Sequence, residues 1–198
     1  MRKIALVLWS LVFVAAGVAG YLWLDRHNQT SNTSLSQVGQ LGGPFDLITD
    51  EGETITYDDL KGNQHLVFFG FTHCPEICPS TLLDVTNWLN KLGSDADNLN
   101  AYFFTVDPER DTQEVLNDYV NAFHPKIVGV TGSPENMKLA ISAYKVYAQR
   151  VNLDGGDYTM DHSAFVMLFR EDGGFAGTIS YAEQEETALA KLRRLVES

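Results

Sequence analysis

The stretch LVFFGFTHCPEICP, residues 66–79, changes character halfway along. Its first six residues are a continuous apolar run of strand length, the pattern of a strand buried on both faces. The run ends at Thr72-His73-Cys74-Pro75. From Pro79 onward Leu82, Val85, Leu89 and Leu92 recur at helical spacing, and Gly93 stops the helix. Pro79 suits a first helical position, which predicts Cys78 at the cap and Cys74 in the loop. A buried strand therefore enters a helix through a loop carrying both cysteines of the chain. In open α/β sheets ligands bind beyond the carboxyl ends of strands, so this stretch marks a site as well as a fold.

Working outward, residues 44–48 and 54–57 read as two short strands, and Asp58-Asp59-Leu60-Lys61-Gly62 as a turn. Residues 101–106 are an apolar strand ended by Asp107-Pro108, and Asp111 or Thr112 caps a helix through Phe123. Residues 127–130 form a short strand. Ser133-Pro134-Glu135 then opens a helix reaching about Tyr147, with a hydroxyl at the cap and proline at the first helical position. Residues 152–156 are a turn. Strands at 164–169 and 175–180 are joined by Asp172-Gly173-Gly174, and residues 184–196 are a closing helix. The order βα, βα, βα, ββα after an N-terminal hairpin predicts an α/β fold with a mixed sheet covered on both faces. The closing hairpin and helix are the thioredoxin-like arrangement.

The N-terminus has a different chemistry. Arg2 and Lys3 precede about 21 uncharged residues (4–24), close to the ~20 that cross a bilayer as a helix. Tyr21, Leu22, Trp23 and Leu24 continue the run past the small residues where a secretory signal would be cut. Residues 1–27 are therefore read as a transmembrane anchor, with a cleaved signal peptide ending near Val18-Ala19-Gly20 as the alternative. The basic flank keeps the N-terminus inside and the domain outside. No cysteine is available there for a lipid anchor. Residues 28–43, NQTSNTSLSQVGQLGG, are polar and aperiodic, and read as a flexible tether. Residues 44–198 are the soluble domain. The net charge of −12 disfavours phosphate backbones and excludes nucleic acid as a natural partner.

Two cysteines four positions apart are poor staples for a chain long enough to bury a core, and are better read as a site. Backbone N–H groups and the positive end of the helix dipole favour thiolate there. The thiolate is both the nucleophile of disulfide exchange and a soft metal ligand selecting Cu(I), zinc or iron–sulfur centres. Two thiolates are too few for a structural zinc site, so a metal needs a further ligand from elsewhere.

The motif TxCPxxCP after an FxGF-type strand, then Val106-Asp107-Pro108-Glu109-Arg110-Asp111-Thr112, then Asp161-His162-Ser163 before a strand, resembles the Sco (SenC/PrrC) family of copper chaperones. The resemblance covers about residues 40–198 and includes the N-terminal anchor. It implies a thioredoxin-like domain holding copper, as Cu(I) or Cu(II), through Cys74, Cys78 and His162. It also implies a role in building the copper centre of cytochrome c oxidase. The partners implied are the copper subunit of that oxidase or another copper chaperone, with the chain in a bacterial inner membrane and its domain in the periplasm.

The same thiols support a second function, a membrane-anchored thiol–disulfide oxidoreductase in which Cys74 and Cys78 form a redox-active pair. Thioredoxins set a proline beside their cysteines, whereas no proline follows Pro134 here and the corresponding loop carries Asp161-His162-Ser163. That exchange favours the metallochaperone. Asp161 is the expected orienting partner of the His162 ring. His73, beside Cys74, and Met160, two positions before His162, are minor ligand candidates, with packing the simpler role for Met160. Asp107 and Asp111 read as a turn and a cap, while the family resemblance implies that their loop lies near the site. A peroxidase of related fold requires Arg110 or Arg150 at the thiolate.

Overall fold

The computed structural model describes residues 41–198. The expected anchor, residues 1–27, and the tether up to residue 40 lie outside the described residues. Among the described residues no helix is long and apolar enough to cross a membrane.

An N-terminal hairpin, β1 (Asp46–Thr49) and β2 (Thr54–Thr56), precedes three strands, β3 (His65–Gly70), β4 (Asn100–Thr105) and β5 (Ile127–Thr131). These three are parallel to one another, and each is followed by a helix: α1 (Ile77–Leu92), α2 (Gln113–Val120) and α3 (Pro134–Ala143). A two-stranded hairpin, β6 (Ala148–Asn152) and β7 (Tyr158–His162), comes next. The chain closes with β8 (Phe165–Phe169), β9 (Phe175–Ser180) and α4 (Glu185–Val196). The main sheet has the order β2-β1-β5-β4-β3-β8-β9, with β8 antiparallel to β3 and β9 antiparallel to β8. Three parallel strands continued by an antiparallel hairpin and a helix make the core thioredoxin-like.

The β3 strand is central because every one of its residues is buried. Register pairs Phe68 with Phe103 and Phe69 with Phe104, so the two faces of the sheet carry separate aromatic layers. On one face Phe69, Phe104, Tyr144, Phe169 and Phe45 pack ring against ring. On the other, Phe68 and Phe103 meet under α1 and its neighbours. The helix starts follow the sequence: Thr112 and Ser133 accept backbone N–H bonds from Val115 and Asn136, with Pro134 opening α3.

Three local expectations are corrected. The α1 helix begins at Ile77 with Glu76 as its cap, so Cys78 lies within the first turn and not at the cap. Pro79 is then the third helical residue, which is permitted because the first four N–H groups of a helix have no intrahelical partner. The α3 helix ends at Ala143 and not near Tyr147. Buried Tyr144 is drawn into the aromatic layer, and Lys145 takes a left-handed backbone with φ of 55°. Finally, residues 148–162 are a β-hairpin and not only a turn.

Candidate metal centre

The cysteine loop is held from both ends. The Cys74 N–H donates to the Phe71 carbonyl at 3.2 Å, and the Cys78 N–H donates to Cys74 Sγ at 3.4 Å. The first sulfur thus accepts an unpaired N–H of the α1 terminus, a position otherwise taken by a capping oxygen. Cys78 is fully buried against the core, while Cys74 is partly open to the surface.

His162 ends β7 and reaches across to the same place. Its Nε2 lies 3.4 Å from Cys78 Sγ. The ligand atoms of Cys74, Cys78 and His162 all fall within 4.8 Å of one another. The imidazole is wedged edge-on between Phe68 and Phe71, with ring centroids 6.2 and 5.8 Å away. Its Nδ1 is 3.0 Å from the Ser163 carbonyl, which can only accept, so in the neutral ring the proton sits on Nδ1. The lone pair of Nε2 then faces the sulfurs. An open cavity of about 270 Å³ gives access, lined by Phe71, Cys74, Ile77, Met160 and His162 among others.

The two thiols are unlike. A hydrogen bond from Cys78 lowers the Cys74 pKa to about 3 against the opposing effect of burial, with smaller contributions from the His162 side chain and then from the backbone N–H groups of Cys78 and Glu76. The bond to Cys74, and then burial, push Cys78 in the opposite direction. One proton is therefore kept on the buried sulfur, and the accessible sulfur is the thiolate.

The cysteine loop is also tied to the 107–111 segment. Asp111, fully buried, accepts from the Thr72 N–H at 3.0 Å, the Thr72 hydroxyl at 2.6 Å and the Thr105 hydroxyl at 2.6 Å. Burial raises its pKa despite these donors. Asp111 is thus an anchor of the site loop, a role that a cap or turn reading does not contain.

Other expectations resolve as follows. Asp161 does not orient the ring: it is exposed, because neighbours on a strand point to opposite faces, and the Ser163 carbonyl takes Nδ1. His73 is exposed, with its Nδ1 3.1 Å from the Thr72 hydroxyl, and stands outside the ligand cluster. Met160 packs against the core and lines the cavity. Neither arginine serves the thiolate. Arg110 and Arg150 lie on the Tyr158 ring, 3.7 and 3.6 Å from its centroid, and pair with Asp107 and Glu109. Tyr158 was not singled out in the sequence. The alternation Tyr158, Met160, His162 on one face of β7 is the signal that points to it.

Comparison with known proteins adds an independent line. A family model described as SCO1/SenC matches residues 33–197. The chain is 42% identical to an SCO2-like protein of Rickettsia prowazekii over 138 residues, which are 69% of this chain and 67% of that one. It is similar to the solved structure of Bradyrhizobium japonicum ScoI with copper bound, at 42% identity and a TM-score of 0.73. That match covers 78% of this chain and 99% of the other. It is also similar to the structure of yeast Sco1 with copper bound, at 38% identity, a TM-score of 0.74, and 80% and 90% coverage.

Proposed function

The chain belongs to the SCO1/SenC family, and from that premise we propose that it is a copper-binding metallochaperone serving the copper centre of cytochrome c oxidase. The observation that carries this reading is the convergence of two sulfurs and one imidazole nitrogen within 4.8 Å. Thiolate and imidazole donors together suit copper in either oxidation state, while hard cations prefer oxygen. Cys74 and Cys78 are the thiolate ligands and His162 the imidazole ligand. Copper is cargo, taken up through the open side of the cavity and passed to the oxidase copper subunit or another copper chaperone. The copper held by the Bradyrhizobium and yeast relatives supports the same reading.

In this proposal residues 1–27 anchor the chain in a bacterial inner membrane, residues 28–43 are the tether and residues 44–198 work in the periplasm. Support comes from Arg2, Lys3 and the uncharged run behind them.

A second reading rests on the unequal thiols. Thiolate Cys74 is the accessible member. It can attack a client disulfide and expel one client thiolate. Cys78, on losing its proton, then closes the Cys74–Cys78 disulfide and releases the client as a dithiol. The chain would then keep client cysteines reduced.

One titration separates the two. The reduced full chain is titrated with Cu(I) and Cu(II), following sulfur-to-copper charge-transfer absorption, beside Cys74→Ala, Cys78→Ala and His162→Ala. Stoichiometric binding that falls by orders of magnitude in each variant supports the chaperone. Unchanged copper retention in either cysteine variant overturns it. No binding, with rapid reduction of a disulfide substrate, supports the oxidoreductase.

A further inference from the structure

His162 arrives on a hairpin that is its own two-stranded sheet: β6 and β7 pair with each other and not with the main sheet. Ladder hydrogen bonds therefore do not fix the imidazole over the cysteines. The hairpin is held at both ends by other means. At the His162 end the Ser163 N–H donates to the Tyr147 carbonyl at 3.0 Å, and the Tyr147 N–H donates to Ser163 Oγ at 3.1 Å. These bonds join residues flanking the hairpin, so they close it without attaching it to the cysteine loop.

The other end is attached through Tyr158. Arg110 Nη1 donates to the Tyr158 carbonyl at 3.0 Å, and the guanidinium lies 3.7 Å from the centre of the Tyr158 ring. The Tyr158 hydroxyl donates to Asp107 Oδ1 at 2.8 Å, while Arg110 Nε donates to the other oxygen of the same carboxylate. Asp107 is buried, so both of its oxygens are satisfied by this clasp in a setting where an unpaired carboxylate is costly. Arg150 closes the opposite face of the ring and pairs with Glu109 at 3.1 Å. One position beyond Arg110, Asp111 grips Thr72, two residues before Cys74.

The 107–111 segment thus holds the histidine hairpin with Asp107 and Arg110 and the cysteine loop with Asp111. We propose that Arg110 is a positioning residue that, by clamping Tyr158, keeps the His162 imidazole within ligating distance of Cys74 and Cys78. The consequence for copper rests on the metallochaperone reading; the consequence for the hairpin does not. Arginine suits the role because its planar fork reaches a carboxylate, a carbonyl and an aromatic face at once.

The test uses the full chain, first without metal. In Arg110→Gln, amide hydrogen exchange at Thr159–His162 positions should quicken at least about tenfold while the β3 and β4 amides keep their protection. Tyr158→Phe, which loses only the hydroxyl bond, should show a smaller effect of the same sign, and keeps the test valid should Arg110→Gln fold poorly. With Cu(II), Arg110→Gln should bind about 10–100-fold more weakly, as with other residues that orient a ligand from behind. Its charge-transfer spectrum should move toward that of His162→Ala, and Arg110→Lys should recover only part of the loss. Unchanged exchange in both metal-free variants overturns the proposal. So does a loosened hairpin with unchanged affinity in a chain whose wild type binds copper. A wild type that binds no copper, with the hairpin loosened in the variants, removes the metallochaperone reading and leaves the clasp standing.

Discussion

Gly70 abuts the sulfur of Cys78: a Cβ built on it would fall 2.7 Å from Sγ and 2.6 Å from Phe103 Cε2. The last residue of β3 must be glycine because the buried sulfur and an aromatic ring of β4 already occupy the space a side chain needs. Gly70→Ala should cost about 1–3 kcal/mol by overpacking. It should also displace Sγ and weaken copper binding, while Gly62→Ala, which strains a left-handed turn residue of φ 94° and meets no neighbour, costs stability and leaves copper binding unaltered. Urea denaturation and copper titration on both variants check this. Equal copper affinity in Gly70→Ala and wild type would contradict it.

The accessible thiol is predicted to react at low pH. The folded pKa of Cys74 is lowered to about 3 from an ordinary thiol value of about 8.5. The thiolate is therefore present from above pH 3 upward, and is lost only as pH falls through that value. Alkylation of the reduced, metal-free chain by iodoacetamide should be almost flat between about pH 5 and about pH 8 and confined to Cys74. Cys78→Ala removes the main donor, so Cys74 reactivity should then rise with pH in that range. Flat profiles in both proteins would show that Cys78 is not the cause.

Asp111→Asn should loosen the cysteine loop. The carboxylate accepts three hydrogen bonds from Thr72 and Thr105. An amide that keeps its oxygen on the Thr72 N–H and the Thr105 hydroxyl turns its NH2 to the Thr72 hydroxyl, which must reverse from donor to acceptor and lose its charge-assisted bond. The expected loss is about 1–3 kcal/mol. Exchange of the Thr72 and Cys74 amides should accelerate by more than that of β8. Stability equal to wild type would remove Asp111 from the frame of the site.

His65 should make the domain sensitive to mild acid. It is buried, stacked 5.0 Å from Phe169, and burial lowers its pKa below the ordinary value of about 6.5. A lowered histidine pKa means the unfolded chain binds the proton first. The stability contribution is complete above about pH 6.5 and is lost as pH falls below it toward the folded value. His65→Phe, which keeps the stacking, should narrow the difference in urea midpoint between about pH 7 and about pH 5. An undiminished difference would place the acid sensitivity elsewhere.

The parts of the fold that were legible are those with a strong period or a hard stop. The run of residues 66–71 could be read as buried strand because both faces of β3 are covered, and the Thr112 and Ser133 caps announce their helices. The β6–β7 hairpin was not legible. Gln149, Arg150 and Asn152 are polar and exposed, so β6 shows no apolar alternation. The β7 strand offers only Tyr158, Met160 and His162 on one face, and among the described residues the two strands pair with each other. Asp161 was misjudged for a related reason: adjacency in sequence places two strand residues on opposite faces.

The order of residues along the chain suffices to place a central apolar strand before a helix, with Cys74 and Cys78 at the junction and soft chemistry beside them. Composition, period and capping are local, and a chain carries them in full. It takes the folded chain to turn His162 toward the sulfurs, to set its proton on the side of the Ser163 carbonyl and not of Asp161, and to bring Arg110 onto Tyr158. Those are contacts between segments tens of residues apart, fixed by how layers pack and where two strand ends meet, and no spacing along the chain encodes them.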